Sequence, residues 1–473
     1  MTEKRIASGI KGLDEIVRGG LPVGNVYLVQ GPPGAGKTTI ALQFLREGAA
    51  RGERALYVTL SQTTHDLEEI AKSHGWSLDG IDVVELQAHS DVTQAGQSIF
   101  RTSDLRLDQT REQVEQAIEE YRPNRLVYDS LLEVRLLTAD MTRYQRELIG
   151  LRAFVGERKI TTMLLDTDVS NDSTDEGQSR GIVHGIFTLD KVLPTFGRAK
   201  RRVEVSKMRG VNVFDGWHDF DIRQGEGVVV FPRLTHEIAT KSRFDGDLIR
   251  SGRDKIDAVF GGGMEAGTTT MVVGQAGTGK STMASLYATA ALERGEEVAL
   301  FLFEERVETF FRRSEGLGMD LRGYYEEGTL RIYDFNPDQI TAGEFAQIVQ
   351  AEADSEKLRV VVIDSFTGYM SSLSHPEQAL YDIQTLLKHL SRRNVLTFLI
   401  VAQHGLLGHN AEVMLDLSFL GDTVLLLRMR EVERQVQREL VAVKKRHGPH
   451  DLSIQRLIIE AGNVDIAGLD PVG

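Results

Sequence analysis

The chain contains one domain-sized segment twice. "SGIKGLDEIVRGGLPVGNVYLVQGPPGAGKTT" begins at Ser8 and "SGRDKIDAVFGGGMEAGTTTMVVGQAGTGKST" begins at Ser251, and this offset of 243 residues holds without a gap from Ser8 to Gln62. A period of that length is far beyond the 20–50 residues of a solenoid repeat, so the chain must build the same domain in duplicate. The length agrees, because 473 residues are more than one hydrophobic core usually supports. Two domains are expected, 1–240 and 241–473. "KSRFDGD", residues 241–247, is the linker candidate within a junction running from about Gly225 to Arg250.

Each copy carries the same local pattern: an apolar β-rich run, a glycine-rich turn, an amphipathic helix and a second apolar run. In the first copy these are "NVYLVQ", "GPPGAGK", "TTIALQFLREGAA" and "RALYVTL"; in the second, "TTTMVVG", "QAGTGK", "STMASLYATAALE" and "EVALFLF". Gly52 and Gly295, each preceded by an arginine, mark the helix ends, since glycine accepts the left-handed cap and a cation suits a helix C-terminus. Strands that are apolar throughout and separated by helices predict an α/β fold with a mostly parallel sheet covered on both faces. Further helices are expected in "REQVEQAIEEY" and "AGEFAQIVQAEADSEK", leading into the strands "RLVYD" and "LRVVVID".

The turns carry the chemistry. Gly31–Thr38 and Gly274–Ser281 both fit GxxxxGK[ST] between a strand and a helix. Glycines let backbone N–H groups curl around an anion, and the helix N-terminus adds its positive dipole end. Gly31, Gly34, Ala35, Gly36, Lys37, Thr38 and Thr39 form the first candidate nucleotide loop; Gly274, Gly277, Thr278, Gly279, Lys280, Ser281 and Thr282 form the second. A single glycine-rich match can be merely a turn, but two at one offset with matching flanks point to ATP. The hydroxyls of Thr38 and Ser281 and the strand-end carboxylates of Asp129 and Asp364 are the expected Mg2+ ligands.

The copies then diverge. "FLFEERVET" places Glu304 and Glu305 beyond the strand that follows the second loop, whereas "YVTLSQTTH" has Ser61 and Gln62 in the matching frame. A carboxylate there can deprotonate or orient an attacking water. A solvated acidic strand end is the alternative, and the nearby loop decides against it. Ser61 and Gln62 cannot act as bases near neutral pH, so ATP turnover is expected mainly at the second site, with Lys280, Glu304 and Glu305 as catalytic residues. Gln403 and His404 follow a later strand, where a polar residue resembles a γ-phosphate sensor or is only a strand-end residue, and the first copy has Asp166 and Thr167 in that region.

Composition removes other classes. The formal charge of −14 disfavours nucleic acid as a partner, the absence of cysteine excludes disulfides and thiolate catalysis and fits a cytoplasmic location, and no run of about 18 apolar residues exists to span a membrane. "KMRG" holds Lys207 and Arg209, and "KKRHG" holds Lys444 and Arg446 in the corresponding late position. On a strand, a K-x-R pair puts both cations on one side, able to touch a phosphate cluster.

The tandem loops, the "FEE" after the second, the "DS" after each acidic strand end and the "KMRG…WHD" segment together resemble the KaiC family of RecA-fold ATPases over nearly the whole chain. The resemblance implies two tandem RecA-like P-loop NTPase domains and a homo-hexameric double ring with ATP between protomers. It also implies that Lys207, Arg209, Lys444 and Arg446 act across interfaces, Lys444 and Arg446 as part of the catalytic apparatus. Clock members of the family phosphorylate themselves in the C-terminal ring and engage partner proteins. Here the serine–threonine phosphosite pair falls on Ser418 and Phe419, with Thr423 nearby, and the chain stops at Gly473 soon after Asp451. Autophosphorylation is therefore expected at Ser418 if anywhere, without a complete phosphorylation cycle. Two other readings compete: a nucleotide-gated signalling scaffold with little catalysis, and a RecA-type DNA-dependent ATPase.

Overall fold

The computed structural model describes residues 4–86, 99–138, 141–167, 181–193, 198–234, 246–336, 338–371, 373, 376–403, 417–432 and 434–468. The chain divides into two units, Met1–Arg233 and Leu234–Gly473. Most of the "KSRFDGD" linker candidate lies outside the described residues.

The first unit opens with the short strands β1 (Arg5–Ile6) and β2 (Leu21–Pro22), which pair with each other. Its main sheet comprises β3 (Val26–Gln30), β4 (Ala55–Thr59), β5 (Ile81–Glu85), β6 (Arg125–Asp129), β7 (Thr161–Asp166), β8 (Gly185–Val192), β9 (Lys200–Met208), β10 (Trp217–Arg223) and β11 (Gly227–Phe231). The second unit opens with β12 (Leu248–Ile249) and β13 (Met264–Glu265). Its sheet comprises β14 (Thr269–Gly274), β15 (Glu297–Leu302), β16 (Leu330–Asp334), β17 (Leu358–Asp364), β18 (Leu396–Ala402), β19 (Thr423–Val432), β20 (Gln435–Lys445), β21 (Gln455–Glu460) and β22 (Asn463–Gly468).

The two nine-stranded sheets have one strand order. It is β5-β4-β6-β7-β3-β8-β9-β10-β11 in the first unit and β16-β15-β17-β18-β14-β19-β20-β21-β22 in the second. From β5 to β8, and from β16 to β19, every pairing is parallel; beyond them the strands run antiparallel. The central strands β3, β4, β6 and β7 are buried at every position, as strands covered on both faces must be. Tyr27 and Val29 face one apolar core while Val26 and Leu28 face another, so the period-2 alternation of β3 feeds two layers of helices.

The loop helices Lys37–Ala50 and Lys280–Glu293 end as the sequence predicts. Gly52 and Gly295 adopt φ of 75° and 79° just past arginine C-caps, and the Glu53 and Glu296 N–H groups reach back to Gly48 and Ala291 carbonyls. The helix expected over "REQVEQAIEEY" is longer and begins at Ile99, while that over "AGEFAQIVQAEADSEK" spans Ala342–Ala353. Among the described residues no helix is long and apolar enough to cross a membrane.

Candidate functional site

Both phosphate loops sit where the central strand of a parallel sheet passes into a helix, at the carboxyl end that open α/β sheets use for ligands. Gly36 and Gly279 cap the loop helices at φ of 105° and 102°, a region open to glycine and costly for other residues. Space is closed as well: a Cβ on Gly36 would lie 2.8 Å from Ile222 Cδ1, and one on Gly279 2.5 Å from Ile459 Cδ1. Ile222 and Ile459 are 237 residues apart, as are Arg201 and Arg438. Those arginines hold the loops by one contact, donating to the carbonyls of Gly34 (3.5 Å) and Gly277 (3.0 Å). Sequence reading missed this pair, although its spacing equals that between Lys207 and Lys444.

In the second unit the loop opens into a cleft of ≈ 790 Å³ lined by Gly277, Gly279, Lys280, Ser281, Thr282, Glu304, Glu305 and Asp364, together with Arg306, Arg312, Arg313 and Arg438. Gly274 and Thr278 do not reach that lining; Thr278 is fully buried and its hydroxyl donates to the Gln275 carbonyl at 2.8 Å, bracing the loop from behind. Lys280 Nζ donates to the same carbonyl at 2.8 Å. Burial pushes its ammonium below the usual lysine range, against the opposing pull of Asp364 and Glu304. Asp364 is raised, chiefly by burial, while a hydrogen bond from Ser281 works the other way. Four arginines and one lysine therefore face three carboxylates in a cleft sized for a nucleotide.

The acidic pair stands just past the end of β15 at Leu302, in a bend and not on the strand itself. Glu304 accepts from the Ser365 hydroxyl, which is in turn positioned by the Gly368 N–H at 2.9 Å. Glu305 is gripped by both arms of Arg313, at 3.1 and 2.8 Å. One carboxylate is thus neutralised by a fork of donors and the other is held by a neutral hydroxyl, a division of the pair that the sequence could not display.

The first unit repeats the cradle with different side chains around it. Lys37 Nζ donates to the Gly31 and Pro32 carbonyls at 2.8 and 3.1 Å, and burial lowers it against Asp129 and Asp166. Ala35 is fully buried, and Thr39 nearly so, which leaves Thr38 as the accessible hydroxyl of the loop. Asp129 is raised by burial, but it accepts from the Tyr57 hydroxyl at 2.6 Å, and that hydroxyl is also bonded to Thr38. Tyr57 stands 243 residues before Leu300, so the second unit has no phenol there. Ser61 and Gln62 have folded onto Thr59, whose hydroxyl accepts from both their N–H groups.

Register corrects one pairing of candidates. Gln30 lies opposite Asp166 and the equivalent Val273 lies opposite Val401, so Asp166 matches Val401 and not Gln403. Asp166 is engaged by Arg135 through two bonds of 2.8 and 2.7 Å. The residue matching Gln403 is Asp168, which, like His404, lies outside the described residues.

The late basic pairs do not reach their own loops. Lys207 pairs across to Ile186, which is level with Leu28, and Lys444 to Val424, level with Met271. Three residues of strand separate those levels from Gly31 and Gly274, roughly 10 Å, and one strand, β8 or β19, lies between. Arg209 instead donates to the Gly181 carbonyl, and Lys444 to the carbonyls of Ser418 and Gly421. Arg446 pairs with Asp422 at 2.9 Å. Ser418 is exposed on a short helical turn, Ser418–Leu420, at this same far end.

Comparison with known proteins identifies the family. A family model described as "ATPase: KaiC" matches residues 6–235 and again 249–470. The circadian clock oscillator protein KaiC of Parathermosynechococcus lividus is 26% identical over 468 residues, covering 97% of this chain and 84% of its own. The circadian clock protein KaiC3 of Synechocystis sp. is 25% identical, covering 97% and 90%, and the KaiC of Synechococcus elongatus is 26% identical, covering 97% and 88%. With a matching domain in each half and similarity along nearly its full length, the chain belongs to the KaiC ATPase family.

Proposed function

We propose that the protein is a Mg2+-ATP hydrolase of the cytoplasm that works as a homo-hexameric ring, with most turnover at the C-terminal site. The observation that carries this reading is the single cleft in which Lys280, Glu304 and Asp364 converge on the phosphate loop. Lys280 and the Arg312 and Arg438 guanidiniums bind and orient the phosphates. Glu304, held by the Ser365 hydroxyl and not by a guanidinium fork, accepts the proton of the attacking water; Glu305, occupied by Arg313, stiffens the bend that presents it. Mg2+ takes one or two protein ligands and completes its shell with phosphate oxygens and water. Ser281 and Asp364 would hold it in one unit and Thr38 and Asp129 in the other, and the ion when bound offsets charge on the triphosphate.

The displaced positions of Lys207, Arg209, Lys444 and Arg446 support a role on a neighbouring subunit's ATP, as a ring provides. Ser418 lies beside Lys444, so a phosphoryl group brought to that cation from a neighbour would find the serine hydroxyl within the same region. This supports serine autophosphorylation as a second, slower outcome, and it makes the nucleotide state visible to a partner protein. A DNA-dependent role finds no support in a chain of charge −14.

Phosphate release from γ-labelled ATP tests the reading. Glu304→Gln should lower total turnover by about 10²-fold or more, as loss of a general base does, while Lys37→Ala should leave most of it. Equal losses from the two variants would refute the assignment, and label on Ser418 in the wild type would establish the kinase branch.

A further inference from the structure

The first unit lacks carboxylates at Ser61 and Gln62, yet it is not without one at the place where Glu304 works. The aspartates Asp129 and Asp364 are each followed by a serine through a cis peptide bond. In the second unit that serine, Ser365, donates to Glu304. In the first, Ser130 makes the same bond at 2.5 Å to Glu133, a residue of the helix Leu131–Leu136.

Counting from the aspartates, Glu133 corresponds to Gly368. The exchange is reciprocal. A Cβ on Gly368 would stand 2.9 Å from Glu304 Oε1 and 3.3 Å from its Cγ, so any side chain there would push aside the glutamate arriving from the strand side. Where that glutamate is replaced by Ser61, the helix position carries an acid. Both carboxylates act on the same neighbour electrostatically, each raising the aspartate that ends its strand. Glu133 is half-buried and held by the buried Ser130 hydroxyl, as Glu304 is held by the buried Ser365.

We propose that Glu133 is the catalytic carboxylate of the N-terminal site, and that this site is a second hydrolytic centre and not a passive nucleotide store. The step is ordinary hydrolysis. Water oxygen bonds to the γ-phosphorus, the bond from that phosphorus to the β,γ-bridging oxygen breaks, the water proton passes to Glu133, and ADP and phosphate leave. The proposal rests on the reading of both loops as ATP sites. Glu133 reaches the shared serine from the helix Leu131–Leu136, whereas Glu304 reaches it from the bend after β15, so the two acids approach their loops from different elements.

The test uses the full-length protein with Glu304→Gln, which silences the main site while leaving its nucleotide cradle. This background should retain measurable phosphate release. Adding Glu133→Gln, an isosteric change that keeps the bond to Ser130, should lower the remainder at least tenfold. ATP retained on the protein, counted by filter binding, should be unchanged or increased. In the same background, Ser61→Glu with Glu133→Gly rebuilds the C-terminal arrangement and should restore release lost in Glu133→Gln. Residual release indifferent to Glu133→Gln overturns the proposal, and so does a complete absence of release from Glu304→Gln. Wild-type turnover in Glu304→Gln would instead refute the main-site assignment, and the two failures are distinguishable.

Discussion

The two halves share their strands and part company at their side chains. Gly36 against Ile222 repeats as Gly279 against Ile459, and Arg201 on Gly34 repeats as Arg438 on Gly277. Around these cradles, Tyr57 corresponds to Leu300, Ser61 to Glu304, and Glu133 to Gly368. Binding a triphosphate depends on backbone N–H groups and a helix end, which tolerate no change of glycine, whereas the acid and the metal-side neighbour can arrive from any element that borders the loop. A duplicated site is therefore conserved in what grips and free in what reacts.

The sharpest way to break the comparison is to ask whether either half works alone. Arg446→Ala should cost about 10³-fold in C-terminal turnover if it acts as a cation on transferring phosphate. Lys280→Ala should be equally inactive at that site. In a ring with heterologous contacts, co-assembling the two inactive chains regenerates intact interfaces in roughly a quarter of cases, with Lys280 from one subunit and Arg446 from the next. Phosphate release in the mixture well above that of either parent is the expected result. No recovery would place Arg446 in a purely local role with Asp422.

A smaller effect concerns the metal side. The Tyr57 hydroxyl donates to Asp129 and is shared with Thr38, the two groups that would hold Mg2+ in the first unit, while Ser281 meets Asp364 with nothing between. Tyr57→Phe removes only that oxygen and keeps the buried ring. A hydrogen bond to a charged group contributes about 1.5–3 kcal/mol, so freeing the carboxylate should tighten Mg2+ at the N-terminal site by about tenfold or more. Titrating Mg2+ against retained fluorescent ATP, in a Lys280→Ala background, measures it. Unchanged or weaker Mg2+ binding would mean that Tyr57 supports the metal site and does not compete for it.

What the sequence reveals about this molecule follows from where one offset holds. The 243-residue frame covers the loop, its helix and the next strand, and their fully buried strands and glycine punctuation are easily read. The spacing then changes to 235 for Asp129 and Asp364 and to 237 for the basic pairs, because loops between the elements differ in length. Only in the 235 frame does "DSLLE" lie over "DSFTG" and show one acid gained as another is lost. The antiparallel half of each sheet was harder still: β9 is half-buried at most positions, and β20 carries charges that blur alternation. Arg313 and Arg135 come from helices whose facing could not be known before the sheet was assembled.

The smallest predicted effect sets catalysis against stability. Burial raises the Asp364 carboxyl above its ordinary value of 3.8, so its ionised form is disfavoured in the fold relative to the unfolded chain. A raised acid stabilises fully below its unfolded value and loses that contribution as pH climbs through the folded one; near neutrality the charge is a cost. Asp364→Asn should accordingly raise the melting temperature without nucleotide at pH 7.5 by about 2–4 °C, the shift that about 1 kcal/mol produces in a domain of this size. The gain should shrink as pH falls through the raised folded value and disappear below 3.8, where both states are protonated, and Mg2+-ATP should reverse the ranking by stabilising the wild type alone. Asp129→Asn should gain less, because Tyr57 already donates to that carboxylate and the substitution weakens the bond. A larger gain at Asp129 than at Asp364 would show that the phenol does not lower the cost of the buried charge, and the asymmetry drawn between the two metal sides would fail with it.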